Sequence, residues 1–373
     1  MVFRIGLALD GVGWHPAAWL LSPVTEPAAL FGARYWAGWG RASAAGGIGF
    51  VTLEDGLTAQ TEQFGAAPGD PGSRVRGRLD PVVAAAVLLS ASDVGEVVVT
   101  RNVTHANPFH TATQLASLAA IGPGRVVWRP QVSANARDAT AVGGTPTPEL
   151  RPDDSYVPTR IAHRLRDLFR DAEDHVRTVR DLWTTFPADA LGAGEEFWLP
   201  GRVGPLPGRG TAVGPLNVPV LAVPPVATLA HHALEPYRLA AAVADRVFLT
   251  PTPEHPRPRA ADRVPGDRKA DPGRHGDRGV RRHRGRPRRH RRARPAPPRP
   301  ARPGRRFGVD DRHGDLHRHR DRARRDPHRL AGRHGLAGAR LRPAVLPEDA
   351  ERIIRDVVPR VAETGPPGGN LPS

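Results

Sequence analysis

The stretch EVVVTRNVTHANPFHTATQLASLAAIGPGRVVWRPQVSA, residues 96–134, contains one complete strand–helix–strand unit. Two valine-rich runs, Glu96–Val103 and Arg125–Val132, are bounded by turn residues and predict buried strands. The segment Thr111–Ala120 between them predicts a helix. A strand, a helix and a second strand in this order are typical of a parallel sheet covered by helices. The stretch therefore predicts an α/β fold.

The same alternation continues on both sides of this unit. It predicts strands at Phe3–Leu9, Ile48–Leu53, Val218–Val223 and Arg246–Leu249, and helices at Ala28–Ala45, Leu79–Ser92, Arg160–Thr185 and around Tyr237–Ala244. Six strand–helix units in about 250 residues fit most of an eight-stranded (β/α)8 TIM barrel. A doubly wound open sheet is the structural alternative.

Residues 255–335 use a restricted set of amino acids. Of these 81 residues, 79 are Arg, His, Pro, Gly, Ala, Asp, Val or Leu, and the exceptions are Lys269 and Phe307. The chain has 53 arginines and one lysine, which indicates a GC-rich gene. Since the third codon base in such genes is nearly always G or C, a slipped frame would produce this set. We interpret the segment as out-of-frame translation that replaces about the seventh strand–helix unit.

This interpretation divides the chain into three parts. Residues 1–252 carry the first six strand–helix units, and residues 336–373 carry the last strand and a helix that starts at Pro347. We expect residues 253–335 to be disordered, because they have too little apolar surface to offset the entropy of ordering. A barrel without its seventh strand has two exposed edges, so we expect the chain as written to be poorly active or inactive.

The basic charge of the chain is confined to the same segment. The whole chain has a net charge of +16, whereas residues 255–335 contain 28 Lys+Arg and 9 Asp+Glu, which leaves −3 for the remainder. The alternative is a genuine nucleic-acid-binding arm, with RRHRGRPRRHRRAR at 281–294 as its contact surface. That run has no interleaved aromatic residues for base stacking, so we expect no nucleic-acid partner.

Composition also excludes several kinds of site. The chain has no cysteine, which excludes disulfides, thiolate metal sites and cysteine nucleophiles. It has no apolar run of about 18 residues, and MVFRIGLALDG at its start favours a core strand over a signal peptide. We therefore expect a soluble cytoplasmic protein with no membrane contact.

Several short segments resemble luciferase-like FMN-dependent monooxygenases, particularly the nitrilotriacetate monooxygenase-type branch. They occur in the family's order over most of the chain: GVGWHPAAW at 11–19, GFVTLEDGL at 49–57, the segment 103–134, AEDHVRTVRDLW at 172–183, VGPLNVP at 213–219, AAAVADRVFLTP at 240–251 and GARLRPAVLPEDAERIIRDVVPRV at 338–361. The resemblance implies a barrel with a flavin at the carboxyl ends of its strands. It also implies that reduced FMN, supplied by a flavin reductase, and O2 oxidise a small organic substrate. Another flavin or deazaflavin oxidoreductase of this superfamily is the alternative, and a homo-oligomer is compatible with both.

The resemblance also assigns candidate site residues. His15, after the first strand, and His105, after the third, are the predicted catalytic residues, since imidazole exchanges a proton near neutral pH. The predicted flavin contacts are Asp55, Thr104, Asn107, Gln131, Ser133 and Thr228, and His110 completes a Pro-aromatic-His element. The structural alternative for each residue is a loop or helix cap.

Two places depart from the family pattern. Relatives often have Trp-Asn-x-Val-Thr-Ser at the end of the fourth strand, whereas here Arg129 follows Trp128 and only Ser133 is kept. The small Ser and Gly turn that binds phosphate after strand five is replaced by VATLAHHALEPYR at 226–238. Thr228, His231 and His232 are the candidates there. No third ligand accompanies the histidine pair, so we expect no metal site.

The out-of-frame interpretation predicts a property of the coding DNA. Across codons 250–340, one of the other two reading frames should encode an apolar strand and helix with aromatic residues, rejoining the present frame near Gly335. Sequencing the gene and translating all three frames tests this. If neither alternative frame contains such a pattern, the arginine-rich segment is genuine coding sequence.

Overall fold

A computed structural model of the protein describes residues 3–15, 17–58, 75–144, 159–206, 213–230, 233–249 and 337–363. These residues belong to one compact unit, Met1–Thr252 with Asp326–Ser373. The segment 253–335 and the pair His231 and His232 lie outside the described residues, so the predictions made for them stay predictions.

The described residues form parallel strands in two sheets. The strands are β1 Arg4–Leu9, β2 Phe50–Leu53, β3 Glu96–Asn102, β4 Val126–Gln131, β5 Ala227–Ala230, β6 Arg246–Leu249 and β7 Gly338–Leu341. One sheet has the order β4-β3-β2-β1-β7, and the other pairs β5 with β6. A parallel bridge between Trp128 and Val226 joins the two sheets. The first strand thus pairs with the last, and the others follow in chain order, as in a barrel; a doubly wound sheet would reverse its order midway.

Helices separate the strands. They are α1 Ala18–Leu21, α2 Ala33–Ala45, α3 Pro81–Ala91, α4 Pro108–Ile121, α5 Ala136–Ala141, α6 Thr159–Trp183, α7 Leu234–Val243, α8 Glu348–Arg352 and α9 Val358–Glu363. Local capping explains several starts: Asp80 accepts hydrogen bonds from the backbone N–H groups of Val82 and Val83, and Asn107 caps α4 in the same way. The predicted helix Ala28–Ala45 is divided at Gly32, with a short 3-10 turn at Pro27–Phe31 before α2.

The prediction for the fifth strand was wrong. Val218–Val223 forms no strand, and within it only Val220 makes an isolated bridge, to Pro187. Proline has no backbone N–H to donate to a ladder, and the prolines at 219, 224 and 225 interrupt this segment. Strand β5 begins only after them, at Ala227. The segment 226–238, which stands where relatives have the phosphate-binding turn, therefore contains β5 and the start of α7.

Side chains inside the barrel lie in layers. Phe50, Val98, Val127 and Ala227 form an apolar layer, against which Phe248 packs. Gly6 provides the space for the Phe50 ring, because a Cβ at Gly6 would lie 2.2 Å from Phe50 Cε2. The interior positions are thus filled rather than open, as in other barrels of this kind.

The barrel is incomplete between β6 and β7 in the part of the chain that the structure describes. No described strand pairs with the outer edge of either one. Val247 and Leu249 on β6 are 43% and 40% exposed, whereas the residues of β2 are all buried. The unit predicted to be replaced falls in residues 253–335, so its replacement stays a prediction.

His175 lies in the core between the sheet and the outer helices. It is 5% exposed, its Nε2 lies 3.2 Å from Thr111 Oγ1, and its ring packs beside Trp128. Burial lowers the pKa of His175 to about 4. The native state therefore keeps this imidazole neutral at pH values where the unfolded chain binds a proton.

We predict that this histidine makes stability depend on pH. Folding lowers the pKa of His175 from 6.5 to about 4. The contribution of neutral His175 to the free energy of unfolding is therefore complete above pH 6.5 and is lost as the pH falls toward about 4. The loss is on the order of 3 kcal/mol. Chemical denaturation between pH 7 and 4 should show this decline, and His175→Gln should remove it while keeping a partner for Thr111. The variant His163→Gln, at an exposed position of the same helix, should leave the decline in place.

Candidate functional site

Glu54 lies at the carboxyl ends of the strands, between two arginines. Arg129 of β4 donates from Nη2 to Glu54 Oε2 at 2.5 Å, and Arg340 of β7 donates to Oε1. The Nε groups of the same arginines donate to Thr100 and Thr52, each at 2.8 Å. The side chains of Arg129, Arg340 and Glu54 are only 4%, 8% and 13% exposed. The cluster therefore forms a charged, hydrogen-bonded floor beneath the barrel mouth.

Burial and charge act in opposite directions on this cluster. Burial would raise the pKa of Glu54, but the charges of Arg129 and Arg340 lower it below its ordinary value. Burial lowers the pKa of Arg340 to about 10 in spite of Glu54, which is still well above neutral pH. Glu54 and Arg340 are therefore both charged at neutral pH.

Asp55 joins the ends of β2 and β3. Its Oδ2 accepts from the backbone N–H of Asn102 at 2.6 Å, and its Oδ1 accepts from that of Gly56 at 2.8 Å. The Nη1 of Arg101 lies 3.7 Å from Oδ2. The carboxylate is thus largely engaged in fixing two loops, which was the structural alternative for this predicted flavin contact.

A second network joins the loops after β2, β3 and β4. The hydroxyl of Thr104 accepts from the backbone N–H of Ser133 at 2.9 Å. The hydroxyl of Ser133 donates to Asp138 at 2.7 Å, and Thr58 donates to the other oxygen of Asp138 at 2.8 Å. Thr104 and Ser133, both predicted flavin contacts, therefore lie together and position each other.

His105 and Gln131 present polar atoms without partners. Among the described residues, neither His105 Nε2 nor Gln131 Oε1 has a hydrogen-bond partner, although both atoms are buried. Gln131 lies opposite Asn102 in the paired ends of β3 and β4 and is on the same face as Arg129, which places it at the barrel mouth. Buried polar atoms are normally hydrogen-bonded, so each position fits a ligand that supplies the missing partner.

The loop after β1 lies against the end of β7. Trp14 donates from Nε1 to the carbonyl of Ala8 at 2.8 Å, and the guanidinium carbon of Arg342 lies 4.3 Å from the centre of a Trp14 ring. His15 accepts from the backbone N–H of Ala17 at 3.1 Å through Nδ1. That bond is a loop cap, so the predicted catalytic role of His15 stays a prediction.

Three predicted residues lie away from this constellation. Asn107 is exposed and caps α4, and His110 is exposed on α4. Thr228 lies within β5; because Val226 packs in the helix-side core and Ala227 in the barrel interior, Thr228 points toward the helices. Thr228 thus lies within strand five and not after it; its buried Oγ1 also has no partner among the described residues, and its flavin contact stays a prediction.

Sequence reasoning overlooked the charged floor. The floor could have been predicted from the alternation of side chains along each strand, because every second residue points into the barrel. The polar residues at such inward positions are Thr52 and Glu54 in one strand segment, Thr100 in the next and Arg129 in the third. Within the described residues, no three His, Asp or Glu side chains are grouped to hold a metal ion. No helix in these ranges is long and apolar enough to cross a membrane.

Comparison with solved structures shows the fold. The chain superposes on EDTA monooxygenase from a Chelativorans species with a TM-score of 0.53 and 21% identity, over 66% of this chain and 53% of that one. It superposes on a riboflavin lyase, solved with modified FMN and riboflavin, with a TM-score of 0.53 and 19% identity, over 68% and 55%. The fold is that of these flavin-enzyme barrels.

Sequence comparison agrees with the predicted resemblance. The chain is 25% identical over 221 residues to N-acetyl-S-(2-succino)cysteine monooxygenase of Bacillus subtilis. The aligned region covers 58% of this chain and 45% of the relative. The chain spans about half the length of the relatives it matches. No protein-family model matches it. The similarity to monooxygenases predicted from the local segments is thus confirmed, and the activity is a matter for proposal.

The floor cluster predicts a large effect of one substitution. Glu54→Gln leaves Arg129 and Arg340 buried without a counter-charge, which should lower the free energy of unfolding at pH 7 by about 3–5 kcal/mol. Folding lowers the pKa of Glu54. The contribution of ionised Glu54 to the free energy of unfolding should therefore disappear as the pH falls below about 4, where the unfolded chain binds the proton.

The matched control is Glu173→Gln, which breaks an exposed ion pair with Arg177 on α6. This change should cost less than about 1 kcal/mol. Urea unfolding of both variants measures the difference, and equal losses would contradict a special role for the Glu54 cluster.

Proposed function

We propose that this chain is a flavin-dependent monooxygenase of the luciferase-like type. It would take reduced FMN from a separate reductase and use O2 to oxidise a small organic substrate. One oxygen atom enters the substrate, the other leaves as water, and reduced FMN supplies two electrons. The observation that carries the proposal is the pair of unpartnered polar atoms on His105 and Gln131 at the carboxyl ends of the strands.

The residues around that pair suit a flavin. When bound, FMN supplies the redox chemistry with O2. The amide of Gln131 can accept a hydrogen bond through its free oxygen, and His105 Nε2 can accept or donate one according to its tautomer. The Thr104–Ser133–Asp138 network holds the loops that carry both side chains. Asp55, Asn107 and His15 are retained as further candidates for the flavin and substrate contacts.

Arg342 suggests the character of the substrate. It follows β7 at the barrel mouth, its guanidinium stacks on Trp14, and it makes no ion pair with any described residue. Arg129 and Arg340 share the carboxylate of Glu54 nearby. EDTA and N-acetyl-S-(2-succino)cysteine, named for two of the relatives, both carry several carboxylates. We therefore propose an anionic substrate; the cytoplasmic location and the reductase stay predictions.

The missing strand is expected to limit turnover, so the test measures binding. The full chain, titrated with FMN that has been photoreduced in the absence of O2, should bind it. Gln131→Leu should weaken binding about tenfold, since a ligand group then lacks its partner. Gln114→Leu, which removes another buried and unpartnered amide oxygen, on α4, should leave the affinity unchanged.

Three outcomes would count against the proposal. No binding of reduced FMN, or equal weakening by both substitutions, would remove the assigned flavin site. Tighter binding of a reduced deazaflavin would favour the rival oxidoreductase. Activity is measured as incorporation of oxygen from ¹⁸O2 into N-acetyl-S-(2-succino)cysteine or EDTA. The chain as written is compared with a chain in which residues 253–335 are restored from an alternative reading frame. Substantial turnover by the chain as written would contradict the expected loss of activity.

A further inference from the structure

A groove lies between helix α2 and the start of α8, and we call it the α2 groove. It has a volume of about 380 Å³, and none of its lining residues belongs to the candidate site. Arg34 and Glu351 contribute one charge of each sign to the lining. The rest is mostly apolar and includes Pro23, Val24, Tyr35, Trp39, Pro347 and Ile354. Its volume and apolar lining are those of a ligand-binding cleft.

Two aromatic rings form a rigid wall of the α2 groove. The hydroxyl of Tyr35 donates to the carbonyl of Gly11 at 2.6 Å, and the rings of Tyr35 and Trp39 lie edge to face with their centres 6.3 Å apart. Gly38 lies on the same face of α2, and a Cβ at this position would meet nothing within 4 Å. Fixed aromatic rings beside open space suit a proline-rich segment in the polyproline II conformation, which docks in aromatic-lined grooves.

The chain itself contains a segment of this chemistry. It continues beyond α9 as GPPGGNLPS, residues 365–373, with three prolines and no charged side chain. The helical segment 348–363, which precedes it, lies against the end of α2, where Ile354 is beside Gly46 and Val358 is beside Gly47. Nine helical residues from Ile354 to Glu363 rise about 14 Å. Nine residues of polyproline II span about 28 Å, which is enough to return to the α2 groove.

We propose that the α2 groove binds the chain's own segment 365–373, with Pro366 and Pro367 against the rings of Tyr35 and Trp39. The segment is tethered to the helix that lines the groove, so a weak contact is sufficient. Tethering gives an effective concentration on the order of 1 mM. A groove with a dissociation constant of about 0.1 mM for the free segment would then be about 90% occupied.

The bound segment acts as a strap on the last described strand. Among the described strands, β7 pairs with β1 alone. The loops after these two strands are joined, because the backbone N–H of Leu346 donates to the carbonyl of Val12 at 2.7 Å and that of Trp14 donates to Pro343 at 2.9 Å. A segment held between α2 and the last helix adds a third link on the outer side of the same pair of strands.

The mobility of a label on the segment tests the proposal. The chain has no cysteine, so Asn370→Cys provides one site for a nitroxide. In the full chain, about nine-tenths of the label should be immobilised in the electron paramagnetic resonance spectrum. Gly38→Leu fills the α2 groove without a clash and should lower this fraction at least fivefold. Gly201→Leu, at another glycine with open space around it, is the matched control and should leave the spectrum unchanged.

A second pair of variants tests the role of the prolines. Changing both Pro366 and Pro367 to Ser should release the label, whereas changing both Gly368 and Gly369 to Ser should not. A freely moving label in the parent chain, or an immobilised label that Gly38→Leu does not release, would overturn the proposal. Immobilisation that disappears on dilution would assign the segment to the groove of a second copy and would equally overturn it. Far-UV circular dichroism of each variant checks that the fold is retained.

Discussion

The carboxylate of Glu54 joins strands that do not otherwise touch. In the sheet order β4-β3-β2-β1-β7, Arg129 lies two strands from β2 on one side and Arg340 lies two strands from it on the other. Backbone hydrogen bonds join only neighbouring strands, whereas this ion cluster spans five of them. The hydroxyls of Thr52 and Thr100 accept the Nε groups, so each buried guanidinium is held in one orientation. The carboxyl-terminal end of the sheet thereby becomes a single rigid floor.

The candidate site is built on that floor. His15, Asp55, His105 and Gln131 each follow or end one of the strands β1 to β4, and the loops that carry them are bonded to one another. By contrast, one isolated β-bridge, at Trp128, joins the β5–β6 pair to the other described strands, and the side chains of β6 are largely exposed. The strands that precede Asp55 and His105 and that end at Gln131 are thus neighbours in one continuous ladder.

The sequence predicted the strands with uninterrupted apolar runs and misplaced the one beside prolines. Strands β3 and β4 are rich in valine and match their predicted bounds to within one residue at each end. Val218–Val223 has the same apolar content, but prolines on and beside it remove the donors that a ladder needs. A short apolar run in the sequence indicates that a segment is buried, but it does not indicate whether its backbone can donate hydrogen bonds. Here the missing backbone donors decided where β5 begins.

The site was predictable only in part, for a related reason. Parallel strands end at one edge, so polar residues after each strand could be assigned to a common site from the sequence alone. Which of them are free to meet a ligand depends on hydrogen bonds made across the chain. Asp55 is taken up by Asn102, and Glu54 by an arginine 286 residues away, whereas Gln131 and His105 keep unpartnered atoms. Local sequence specifies the position of a polar group, but its availability is set by pairings that only the folded chain brings together. For that reason Arg129, which sequence comparison treated as a departure from the family, proves to be a support of the site's floor.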